Sequence, residues 1–519
     1  MAEVKNCFPE RQIARSASCA LQVVLLWSAA VWAQAPESGA QEPNPSGKPE
    51  QIQPNQNPKA PQGDSAPTAA EPGKSDAAKP SQPEIKITPD QAKELFHSVD
   101  EILAFDSKKT GLPIKHEVKR RLTSRNEVVG YLEKHSNDED TQRLRRSELV
   151  LKKFGLLPRD FDLQKLLVDL LREQVAGYYD PKTKTVNLLD WVPMEEQEPV
   201  MAHELTHALQ DQSFGLEKWM KKGEKDLTES RKDPTPADIE NDEMDSARQA
   251  MVEGQAEAVM LDYALAPVGR SIVDSPALVD SMESEMTNGT PDSVAFKKAP
   301  IFLKESLTFP YSYGLEFVVK VMEKGGREQA FSGLFARPPH STRQIMQPET
   351  YLSGERIEPM KVPDFARDFK NYHRFDIGAM GEFDVAILVE QFAGKELSKR
   401  LYPEWRGGYY YAARSKTDAG APLGLLYVSR WSSAEKASEF AEIYARSLPQ
   451  RYKRAEEIGV AASQGKADYK IEVLTGKHTW QTDEGMVVIE DEGDTVLVSE
   501  SLDPATTESV EREVFGPGK

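Results

Sequence analysis

The chain has 519 residues, with 84 acidic against 65 basic side chains and a formal net charge of −19. That acidity argues against nucleic acid or an anionic membrane surface as a partner. The length exceeds one ordinary hydrophobic core, so two folded domains with tails are expected.

Residues 1–33 read as an export signal. Lys5, Arg11 and Arg15 make a basic start, and Ala20 to Val31 is an apolar run too short for a comfortable membrane span. Val31-Trp32-Ala33 and Ala33-Gln34-Ala35 both offer small residues for cleavage. Cys19 precedes the run, which is the wrong place for a lipoprotein cysteine. The competing reading is an uncleaved anchor. Export to a periplasm or the medium is therefore expected, with membrane attachment only if the segment is retained. Both cysteines, Cys7 and Cys19, lie in this segment, so the rest of the chain has no disulfide and no thiolate chemistry. Residues 34–85 are Pro-, Gln-, Ala- and Ser-rich with almost no large apolar side chain, the composition of a disordered tether.

Residues 86–400 are expected to form the first domain. Thr88-Pro89-Asp90-Gln91 is a capping box with proline at the first helical position, opening a helix to about Phe105. Pro113 to Leu122 alternates weakly and suggests a strand. Ser124 to Glu127 is a second box, opening a helix to about Lys134. Helices over about Thr141 to Phe154 and Leu163 to Val175 follow. Val175 to Tyr179 and Thr185 to Leu189 flank Asp180-Pro181-Lys182-Thr183-Lys184, which is turn chemistry, so a hairpin is expected.

Next comes His203-Glu204-Leu205-Thr206-His207, the H-E-x-x-H pattern, inside an apolar stretch free of Pro and Gly from Val200 to Gln212. On a helix, positions i and i+4 stack on one face, so His203 and His207 can grip one Zn²⁺. Glu204 then faces the metal-bound water as general base. A catalytic zinc usually takes a third protein ligand. Ala208 to Ser213 supplies neither the Gly nor the His of the three-histidine variant, so that ligand must come from further on.

Gly215 to Pro236 is charged and without apolar period, an excursion that would cover the cleft. A second helix is expected over about Pro236 to Ala264. Its later half is apolar except for Glu253, Gln255 and Glu257. Glu253 and Glu257 share a face. One can ligate zinc, while the other accepts the second N–H of a ligating His. Alternatively they are two carboxylates on a solvated face. Gly254 between them would let another helix approach closely. Asn288-Gly289-Thr290 fits a glycosylation acceptor, a common match given no weight.

Phe309 to Gly314 is expected to open a helix that runs to about Glu323 and is closed by Gly325-Gly326. Tyr311, Tyr313 and His340 are candidates to stabilise a tetrahedral oxyanion, and Arg343 is no better supported. For each one singly, a core aromatic or a loop residue is the preferred reading. Residues 401–519 form a small α+β domain with no recognisable chemistry. Its strands are Arg406 to Ala412 and Leu423 to Val428, a helix runs from Ser432 to about Ser447, and a hairpin joins Met486 to Glu490 with Thr495 to Val498.

Met201-Ala202-His203-Glu204-Leu205-Thr206-His207-Ala208-Leu209-Gln210-Asp211-Gln212, followed by Val252-Glu253-Gly254, resembles the gluzincin branch of the zincin metallopeptidases. It is more closely similar to a group of bacterial exported proteins carrying such a helix. The likeness extends to Glu173 to Pro181, Phe309 to Gly314 and Ser341 to Glu349, roughly the middle half of the chain. It implies an α+β protein whose first domain is mainly helical and zincin-like, with a small sheet. It further implies Zn²⁺ on His203, His207 and Glu253, with Glu257 supporting a ligand from outside. In zincins an edge strand beside the metal helix binds extended substrate by strand addition, which gives the expected hairpin a second possible role beside an ordinary structural one.

The expected function is hydrolysis of a protein or peptide substrate. Two alternatives stay open. One is an envelope scaffold that keeps the zinc site and cleaves nothing; the other is a zinc amidase acting on cell-wall crosslinks.

Overall fold

A computed structural model describes residues 87–516, except 125, 128–137, 175–176, 193, 221–232, 276, 278, 280–292 and 459–473. The expected signal, tether, glycosylation acceptor and most of the helix after Ser124 lie outside the described residues. Within them the chain is mixed α+β, with one three-stranded and one seven-stranded sheet.

The N-terminal part runs α1 (Pro89–Thr110), β1 (Lys119–Thr123), α2 (Asp138–Phe154), α3 (Leu163–Gln174), β2 (Gly177–Asp180), β3 (Thr185–Leu189), α4 (Met194–Phe214), α5 (Pro236–Leu265) and α6 (Ile301–Glu328). Thr88 caps α1 through a reciprocal bond with Gln91, as its sequence predicts. The strand expected over Pro113 to Leu122 is confined to β1, which pairs parallel with β3. β2 and β3 form the expected antiparallel hairpin. In the order β1-β3-β2, the second arm is the central strand and the first arm is the edge. An edge role for strand addition can therefore fall on β2, not on β3.

α6 departs from expectation at its start. It begins at Ile301, and Pro310 lies inside it rather than at its start. Proline removes one helical N–H there. Thr308 and Ser312 bond back to carbonyls of the preceding turn, and the surrounding turns are buried, so packing holds the helix across the defect. The helical path breaks at Gly326, with φ of 74°, and a π-helical turn, Gln329–Gly333, follows.

α5 and α6 cross at two glycines. A Cβ on Gly254 would lie 2.1 Å from the carbonyl carbon and oxygen of Gly314, and one on Gly314 would lie 2.1 Å from the Ala250 carbonyl oxygen. The two backbones touch, as the absence of a side chain at Gly254 suggests. Gly254→Ala must push the helices apart, because the obstacle is main chain and not a movable side chain. We expect a loss of about 3 kcal/mol or more, at or beyond the usual range for overpacking, read as a lowered midpoint in urea unfolding.

The C-terminal part continues with β4 (Tyr372–Ala379), α7 (Glu382–Ala393), β5 (Trp405–Ser415), β6 (Gly424–Trp431), α8 (Ala434–Arg451), β7 (Ala455–Glu457), β8 (Gly476–Thr482), β9 (Gly485–Glu492), β10 (Thr495–Glu500) and α9 (Pro504–Phe515). The seven-stranded sheet has the order β4-β5-β6-β10-β9-β8-β7, with every pairing antiparallel. Its edge strand β4 comes from before residue 401. One hydrophobic cluster runs from α5 and α6 through α7 into the inner face of the sheet and α8. A second joins α1, the hairpin and α4. No helix among the described residues is long and apolar enough to cross a membrane.

Glu243 on α5 is buried and accepts from the Thr342 N–H and hydroxyl, at 2.7 and 2.6 Å. Burial, reinforced by the nearby Asp384, pushes its carboxyl up to about 8 from an ordinary 4.5. Between those pH values the folded chain keeps a proton that the unfolded chain releases, so stability contributed here falls as pH rises through that window. Glu243→Gln keeps an acceptor for Thr342 and cannot ionise. It should melt higher than wild type at pH 8.5 and close to it at pH 5, and equal melting at both values would remove Glu243 as the cause.

Candidate metal centre

α4 presents His203 and His207 one turn apart, and α5 brings Glu253 across to them. The His203 Nε2 and His207 Nε2 atoms are 3.0 Å apart. Glu253 Oε2 lies 3.2 Å from the first and 3.3 Å from the second. Among the described residues these three side chains form the group that could hold a metal ion. His203 and Glu253 are buried, and His207 is nearly so. Tertiary packing supplies the convergence: α4 and α5 lie side by side, and the glycine crossing draws α6 against α5.

The electrostatics fit a cation site. Burial holds His203 down to about 4, despite its bond to Glu253. For His207, burial works in the same direction, but the Glu253 charge and hydrogen bond outweigh it and raise the group to about 9. Burial also opposes ionisation of Glu253, yet the two imidazoles hold it down to about 2. Two imidazoles and a carboxylate thus already hold one proton among themselves, His207 cationic against an ionised Glu253. A divalent ion would take over that role.

Glu204 is buried beside this group. Its Oε2 accepts the Tyr179 backbone N–H at 2.7 Å, so strand β2 aims the carboxylate. Burial pushes Glu204 up to about 7, partly countered by His207. Tyr179 is held a second time by the same helix, its phenol donating to Asp211 at 3.1 Å, and Lys184 of the hairpin turn pairs with that same carboxylate. The Gly177 Cα lies against Val200 and Glu204, where a Cβ would be crowded to 3.2 Å by Val200.

Glu257 is fully buried, and neither carboxylate oxygen has a hydrogen-bond partner. Its Oε1 faces His203 Nδ1 at 3.7 Å, and that nitrogen is likewise unpaired. Burial and the neighbouring Glu253 push Glu257 up to about 8. The separation is too long for a hydrogen bond, but the two groups face each other in the manner expected of an outer partner.

The remaining candidates divide. The Tyr311 ring is buried and lies 6.2 Å from the His203 ring, centroid to centroid. Tyr313 packs on Phe309 at 5.4 Å. His340 and Arg343 are not brought to His203, His207 and Glu253. They line a separate cavity with Glu240, Glu243 and Arg356, whose walls include none of His203, His207 and Glu253. Arg343 is committed there, to Glu382 at 2.8 Å and Glu355 at 3.0 Å. His340 and Arg343 are therefore withdrawn as oxyanion stabilisers, because the loop after the π-helical turn carries both toward the N-terminal half of α5.

Three contributors went unassigned in the sequence: Tyr179, Gln210 and Gln255. Gln210 accepts from or faces His207 Nδ1 at 2.8 Å, and Gln255 bonds Gln210 at 2.9 Å. The available signal was polarity: Gln255 is one of the few polar residues in the apolar half of α5.

No family model, curated protein or solved structure matches this chain.

Proposed function

We propose that the chain is an exported, zinc-dependent peptidase of gluzincin type, with a zincin-like arrangement of α4, α5 and the small sheet. The observation that carries this is the triangle of His203, His207 and Glu253 ligand atoms. One face of a tetrahedron around zinc, with bonds of about 2.0–2.1 Å, has edges of about 3.3–3.4 Å. The three edges here are 3.0, 3.2 and 3.3 Å. Two imidazole nitrogens and one carboxylate oxygen suit zinc better than the all-oxygen cations. The basic, then apolar start of the sequence supports export.

Bound zinc would polarise a substrate carbonyl and lower the pKa of water. The chain's own residues do the rest. His203, His207 and Glu253 hold the ion. Tyr179 N–H fixes Glu204 Oε2, leaving Oε1 to take a proton from the attacking water and pass it to the leaving amine. Burial suits Glu204 to this, since a base near neutrality both accepts and returns a proton readily. Glu257 steadies His203 from behind the ligand shell.

The test is hydrolysis of a peptide library by the full chain. We expect turnover that a chelator abolishes and zinc restores. Zinc-loaded protein that cleaves no peptide, and whose partner binding is unchanged in Glu204→Gln, would instead identify a scaffold. Cleavage confined to purified cell-wall fragments would identify an amidase.

A further inference from the structure

We propose that Gln255 is a positioning residue for the His207 ligand, acting through Gln210 from an anchor on the π-helical turn; the proposal rests on reading the centre as a metal site. Donor and acceptor polarity fixes each link in turn. Gln255 Nε2 donates to the Ala330 and Phe331 carbonyls, at 2.7 and 3.1 Å. Both are carbonyl oxygens and can only accept, so the Gln255 amide cannot be reversed. Its Oε1 must then face Gln210, whose Nε2 donates to it at 2.9 Å and to the Val252 carbonyl at 3.1 Å. This second amide is fixed in turn. Gln210 Oε1 is left facing His207 Nδ1 at 2.8 Å, so that nitrogen must carry the proton.

The consequence falls on the far side of the ring. With Nδ1 holding its proton, Nε2 is the nitrogen left to ligate, and it faces His203 Nε2 and Glu253 Oε2, where a metal would sit. The opposite tautomer would place N–H there and could not ligate. Gln210 and Gln255 are both fully buried, so water does not compete for these bonds. The π-helical turn gains a purpose by the same argument. It brings two successive carbonyls onto one amide, and such wide turns recur at functional sites. The two ligands are thus steadied differently, His203 by the facing Glu257 carboxyl and His207 by a neutral amide chain.

The experiment measures zinc affinity of the full chain by competition with a chelator, for wild type, Gln210→Leu, Gln255→Leu and the double variant. Each single change should weaken binding by about tenfold or more, as losses behind a ligand do. The double variant should bind no more weakly than Gln210→Leu alone, because Gln255 acts only through Gln210. Losses that simply add would mean two independent packing defects and would overturn the proposal.

A second measurement needs no variant. Long-range ¹⁵N–¹H correlation on wild type should place a proton on His207 Nδ1, with zinc and without it. A proton on Nε2 alone would overturn the relay. Neither measurement uses peptide turnover, so an inactive protein would refute the peptidase reading and leave this one standing. A chain that binds no zinc would refute the metal reading, while the spectrum still decides the relay.

Discussion

Glu204→Gln should keep the fold and the zinc and lose about 10²–10⁴-fold in turnover, the usual contribution of a positioned acid–base group. Gln retains the shape of Glu and an oxygen to accept the Tyr179 N–H, which is bonded at 2.7 Å. It removes only the basicity. Glu204 is not among the three converging ligand atoms, so metal content should be unchanged. Both proteins must be compared fully loaded, since zinc loss would imitate the effect. Equal hydrolysis by the two loaded forms would mean that another group takes the proton.

Glu253→Ala should abolish zinc binding, whereas Glu257→Ala should weaken it by about 10–100-fold. Among the described residues, Glu253 Oε2 is the carboxylate oxygen within 3.2–3.3 Å of both imidazole Nε2 atoms. Removing it leaves two neutral ligands and no anionic one. Glu257 reaches only the rear nitrogen of His203, at 3.7 Å, so its loss removes orientation and not a bond to the metal. Titration of each variant with zinc against a chelator reads the difference. A reversed order would exchange the two roles, and no effect from either would place the third ligand elsewhere.

The convergence of His203, His207 and Glu253 was largely legible in sequence because its information is local. The two histidines sit four residues apart on one helix, and Glu253 stands out as a carboxylate in an apolar run. The Gly254 crossing was legible for a related reason, a helix-weakening residue inside a buried stretch. The helix start at Thr88 was legible because a cap satisfies backbone groups within its own turn, whereas the cap expected at Ser432 falls one residue on, at Ser433.

What was not legible depends on distant contacts. Proline at a helix start and proline inside a buried helix look alike locally, and only the packing of Phe302 to Val319 extends α6 back to Ile301. Strand β4 was missed because a bulge between Arg374 and Asp376 breaks its alternation. α7 was missed because it is apolar nearly all round and so lacks a helical period. His340 and Arg343 follow α6 closely in sequence, but the chain turns away from His203, His207 and Glu253 there. Gln210 and Gln255 announce by their polarity that they need partners, yet sequence cannot say that the partners are each other.

The most direct test of the account is the zinc content of the purified full chain, measured by elemental analysis alongside His203→Ala and His207→Ala. The account predicts about one zinc per wild-type chain, as one catalytic site of three protein ligands requires, and none in either variant. A wild-type chain without zinc, or a variant that keeps it, would contradict the metal centre on which everything else rests.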